Sequence, residues 1–76
     1  MLNDQVLHGT LARKLPGKLY GFVYCPATNL DYFLHANELD SSWEQFTVGD
    51  TLTFVGEKTP KGLRAKDASV VQRISV

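Results

Sequence analysis

What this chain lacks narrows it first. It has a single cysteine, Cys25, so no intrachain disulfide can form. One Cys and two His also make no ordinary structural zinc site. Cys25 then reads as a small buried hydrophobe. No apolar run approaches the ~20 residues of a membrane span. Residues 1–5 carry neither the basic nor the apolar region of a signal peptide. Both observations predict a cytoplasmic chain with no membrane partner. Neither sign of charge is in excess, since eight Lys plus Arg stand against eight Asp plus Glu. A polyanion could not be held by net charge, only by segregated cations and by contacts of another kind. Nucleophile elbow, phosphate loop and metal signature are missing, and His8 and His35 are far apart in sequence. We therefore expect no enzyme, no small-molecule substrate, no metal and no cofactor.

What the chain does have is punctuation. Turn residues recur at Pro16-Gly17, at 26–29, at 40–42, at Gly49-Asp50 and at 59–62. Between them lie runs rich in Leu, Val, Phe, Tyr and Thr, which read as short strands. The spacing predicts five strands near residues 5–14, 19–25, 30–35, 50–56 and 63–74. Residues 36–46 fit strands poorly, and 36–40 suits one helical turn. A chain of 76 residues makes a single domain, 1–76, and buries only roughly 60% of its unfolded surface. With five short strands, closure into a barrel limits exposed edges. Remaining edges are compatible with a monomer or a swapped homodimer.

Period-two alternation then sorts the side chains into faces. Leu19, Gly21, Val23 and Cys25 share one side of the second strand, and Lys18, Tyr20, Phe22 and Tyr24 the other. In the third strand Leu30, Tyr32 and Leu34 oppose Asp31, Phe33 and His35. Leu19, Val23, Leu30 and Leu34 suit a narrow interior, whereas Lys18, Asp31 and His35 prefer water. The aromatic side is therefore the outer side. If the two strands form a hairpin, Tyr20, Phe22 and Phe33 make one exposed patch beside Lys18 and His35. Such a patch marks a binding surface. Nucleobases are flat, and stacking on rings is worth about 1–3 kcal/mol per base while tolerating sequence change. Basic residues gather at Arg13, Lys14 and Lys18 and again at Lys58, Lys61, Arg64 and Lys66, which gives a segregated positive charge. A protein-binding patch is the rival reading of the same face.

The same residues carry a family resemblance. The stretch Lys18-Leu19-Tyr20-Gly21-Phe22-Val23 resembles the first ribonucleoprotein motif of cold-shock domains. Asp31-Tyr32-Phe33-Leu34-His35-Ala36 resembles the second. Gly9-Thr10-Leu11, the run from Val48 to Phe54, and Lys61-Gly62-Leu63-Arg64-Ala65 resemble further elements of that family. The resemblance implies an all-β, five-stranded antiparallel OB-type Greek-key barrel with a short helical turn after the third strand. It implies binding of single-stranded RNA or DNA with low specificity, as in a nucleic-acid chaperone. By position it assigns that role to Lys18, Tyr20, Phe22, Phe33 and His35, with Arg13 beside them and Trp43 as either a binding aromatic or a loop-packing residue, and it places Phe46 in the core. Lys61 and Arg64 join the set as basic loop residues that steer the backbone. Arg13 stands where the family has a stacking tryptophan and Lys14 where it has a phenylalanine. Leu19 replaces a glycine, Ala12 a lysine and Ala36 an aromatic. Missing rings and zero net charge favour the alternative, a degenerate cold-shock fold that serves as a protein-interaction module. Strict alternation from Leu11 would also turn Arg13 inward, so its assigned role requires a bulge or a strong twist in the first strand.

Overall fold

A computed structural model describes residues 6–74. Five strands follow in order: β1 (Val6–Lys14), β2 (Tyr20–Cys25), β3 (Leu30–His35), β4 (Thr51–Thr59) and β5 (Gly62–Gln72). The expected start of the first strand at Gln5 lies outside the described residues. The strands close into a barrel in the order β1-β2-β3-β5-β4. One feature departs from the expected antiparallel barrel: β3 meets β5 in parallel, through Phe33 and Arg64. Greek-key closure brings two strands together from far apart in the chain, and their direction is not fixed by any local turn. No helix among the described residues is long and apolar enough to cross a membrane.

The core follows from alternation. Leu11, Val23, Cys25, Tyr32, Leu34, Leu52, Phe54 and Ala65 point inward from the five strands and are buried. Phe46 plugs the barrel from the long connection between β3 and β4. Two inward assignments are corrected. Leu19 is 61% exposed and Leu30 is 46% exposed. Leu19 precedes β2 and Leu30 is the first residue of β3, so both stand at the rim, where no opposite wall covers them. Tyr32 takes the interior instead, against the Phe54 ring at 5.1 Å.

The long connection holds the expected helical turn as a 3-10 turn at Ala36–Glu38, and a second one at Trp43–Gln45. It is fastened at several points. Lys14 Nζ donates to the carbonyls of Trp43 and Phe46, both at 2.7 Å. Buried Asp50 accepts from Thr47 N at 2.9 Å and from Ile74 N at 2.7 Å. Both carboxylate oxygens thus find backbone donors, which is what burial of a charge demands. Arg73 adds a bond to the Gln45 carbonyl at 3.1 Å.

One irregularity decides the first strand's geometry. Leu11 pairs with Val23, but Arg13 pairs with Phe22, so Ala12 is an extra residue. Of the two ways to turn Arg13 outward, a bulge or a strong twist, the strand uses the bulge. Gly21 permits the close crossing there, since a Cβ would stand 2.3 Å from the Arg13 carbonyl oxygen. The turn that follows β1 has Pro16 then Gly17 at φ 72°, closed by Lys18 N donating to Leu15 O. That order suits a type II turn.

Candidate nucleic-acid interface

Register alone builds a row of side chains across the outer face. Arg13 faces Phe22 between β1 and β2, Phe22 faces Phe33 between β2 and β3, and Phe33 faces Arg64 between β3 and β5. Tyr20 pairs with His35 one step along. The rings touch. Tyr20 and Phe33 centroids lie 5.3 Å apart, and Phe22 and Phe33 lie 6.0 Å apart edge to face. All three are half-buried, so each keeps part of its surface in solvent while its neighbours limit its motion. His35 Nδ1 accepts from Asn37 N at 3.1 Å. In the neutral ring this leaves its proton on Nε2.

An open cleft of about 1200 Å³ runs along this row. Ala12, Arg13, Phe22, Asp31 and Phe33 line one side, and hairpin residues 59–64 line the other. The hairpin wall is stiffened by Thr59, whose hydroxyl donates to Gly62 O at 2.8 Å and accepts from Lys61 N at 3.2 Å. Asp31 also lines the cleft, whereas strand alternation places it only on the solvent side. Its place two residues before Phe33 on the same face was the available signal.

The cations divide into free and engaged. Arg13 places its guanidinium 5.1 Å over the Phe22 ring and has no carboxylate partner among the described residues. Lys18 and Lys61 are exposed. Arg64 is held by Glu38 through a salt bridge, with Glu57 at 3.9 Å from its Nε. The guanidinium holds the Glu38 carboxyl below the usual carboxylate range, against a smaller opposing effect of burial. The same bond raises Arg64. Lys66 meets Glu57 at 3.7 Å. Lys14 is engaged by the two loop carbonyls and sits 5.0 Å from the Trp43 ring centroid.

Of the residues singled out from sequence, the structure brings Arg13, Phe22, Phe33, Lys61 and Arg64 to the cleft, with Tyr20 and His35 beside them. Trp43 is not among them. It packs on Phe46 at 5.7 Å and against the core. Tyr24 lies on the same face but is turned to the β2–β3 turn, where its hydroxyl donates to Asn29 Oδ1 at 2.6 Å.

No family model matches the sequence, and no curated protein does. Solved structures do match. Among them is drosophila Unr CSD456, which covers 97% of this chain with a TM-score of 0.76 at 22% identity. The chain spans 30% of the length of that structure. With the five-stranded closed barrel, this similarity shows that the chain has the fold of a cold-shock domain.

Proposed function

We propose that this domain binds single-stranded nucleic acid by stacking bases on its outer aromatic row, with exposed cations meeting the backbone. The observation that carries this reading is the contiguous set Tyr20, Phe22 and Phe33, in ring-to-ring contact beside a cleft with free cations. A hydrophobic ring spends free energy when left against water, and a row of such rings beside Arg13, Lys18 and Lys61 suits a ligand that alternates flat bases with charge. Tyr20, Phe22, Phe33 and His35 at ~1–3 kcal/mol each supply roughly 4–12 kcal/mol gross. Lost rigid-body and strand freedom subtracts several kcal/mol. The expected Kd is on the order of micromolar.

Binding of this kind involves no bond making. The domain captures unpaired bases, and only its preference for the single strand over the duplex biases a hairpin toward melting. Chaperone activity follows from that difference. Titration of labelled hexathymidine against wild type and a Phe22→Ala/Phe33→Ala variant tests the reading. We expect an affinity loss of about thirtyfold or more. Equal affinity in the two proteins would remove this face from the proposal.

The protein-interaction alternative draws support from one observation. Arg64 and Lys14 are occupied within the chain, so fewer cations are free than the sequence suggests. Salt separates the two readings. Phosphate contacts weaken steeply as salt rises, and apolar protein contacts respond much less.

A further inference from the structure

We propose that the cleft beside Phe22 and Phe33 is a guanine-selective slot, read by Arg13 from β1 and by Asp31 from β3. This rests on the single-strand reading and adds to it the identity of one base.

Start with Arg13. Its guanidinium lies over the Phe22 ring, the residue is exposed, and its N–H donors make no side-chain hydrogen bond among the described residues. No carboxylate competes for it among the described residues. The other arginine of the row, Arg64, is bound by Glu38 and Glu57. Arg13 is therefore the forked donor left free in the cleft.

Asp31 is the complementary group. It is exposed, lines the same cleft and makes no ion pair among the described residues. A carboxylate on a surface offered to a polyanion is repelled by phosphate. It fits such a surface when it meets donors on a base edge instead. Ionised, it accepts and cannot donate.

The four bases respond differently to a donor fork and an acceptor pair set apart. Guanine has two acceptors, O6 and N7, on one edge. On another it has two donors, N1–H and the N2 amine. Adenine and cytosine each carry a single donor group, and so does uracil or thymine. Only guanine satisfies both side chains with paired bonds while its ring stacks on the phenylalanines. The remaining ring platforms, Tyr20 and His35, present no such pair of groups and stay tolerant of sequence.

The test uses fluorescence titration of the wild-type domain with hexauridine and with the same strand carrying one central guanosine, inosine or 7-deazaguanosine. The guanosine strand should bind about tenfold tighter than hexauridine. Inosine lacks the amine that Asp31 accepts from, and 7-deazaguanosine lacks the N7 that Arg13 donates to, so each should lose part of that gain. In Arg13→Met the 7-deaza penalty should vanish while the inosine penalty remains, and in Asp31→Ala the reverse. Equal binding of hexauridine and the guanosine strand overturns the slot and leaves the single-strand reading standing. Absence of binding to both strands overturns the two together. A guanosine gain untouched by the analogues and the variants overturns the assignment to Arg13 and Asp31.

Discussion

Two adjacent residues make the same kind of contact and serve opposite ends. Arg13 and Lys14 each hold a cation near an aromatic ring, at 5.1 Å over Phe22 and 5.0 Å over Trp43. Arg13 is exposed, and its ring belongs to the open row of the barrel's outer face. Lys14 is half-buried and spends its donors on two loop carbonyls. The difference lies in what surrounds the contact. An ammonium that also bonds backbone oxygens is immobilised and ties two segments together. A guanidinium resting on a ring alone keeps its hydrogen-bonding edge for something else. Cation–aromatic proximity by itself therefore identifies neither a binding site nor a structural tie.

That contrast can be broken most decisively at Lys14. In Lys14→Met the loop loses its fastening and two carbonyls lose their donor, so we expect unfolding free energy to fall by about 1–3 kcal/mol in chemical denaturation. Affinity for a single strand should change less than about threefold. A large affinity loss with unchanged stability would place Lys14 in the interface and undo the contrast. The mirror case is Arg13→Ala. Affinity should fall about fivefold through the lost stacking surface and charge, while the denaturation midpoint stays close to wild type. The reverse pattern would make Arg13 a structural residue.

A smaller effect is expected at the engaged arginine. Glu38→Gln removes the closer of the two carboxylates that hold Arg64 and should tighten single-strand binding by about twofold to threefold, measured at low salt. Unchanged binding would show that Arg64 does not face the ligand. The same pair sets an acid dependence. Glu38 is held below its ordinary value by Arg64, so its contribution to stability is fully present above the ordinary carboxylate range. That contribution is lost as pH falls through the lowered value. Acid titration of stability should therefore flatten in Glu38→Gln. The smallest effect belongs to Lys61 on the hairpin tip. Lys61→Ser should lower the slope of log affinity against log salt by just under one, and an unaltered slope removes Lys61 from the backbone contacts.

Much of the face was legible before any coordinates because strand alternation is a strictly local rule. Tyr20, Phe22, Phe33 and His35 share a face by counting alone, and the core positions of Val23, Leu34, Cys25 and Phe46 follow from the same reading or from the resemblance. What escaped depends on distance along the chain. Leu19 and Leu30 obey the alternation but stand at strand ends, where the rule says nothing of whether a wall lies opposite. Lys14 meets carbonyls 29 and 32 residues away. Arg64 meets Glu38 across a separation of 26. Composition counts such charges as available, and only folding reveals that they are spoken for. The parallel meeting of β3 and β5 is likewise a property of closure rather than of any segment.

The extra residue at Ala12 also bears on how the chain finds its register. Without it, strict alternation from Leu11 would drive the Arg13 guanidinium among Val23, Leu34 and the other interior side chains. Stranding an ionised group there costs several kcal/mol. A β1–β2 pairing without the bulge is thus heavily penalised once the barrel is closed around it. The cation set on the outer face thereby also fixes the register of its own strand.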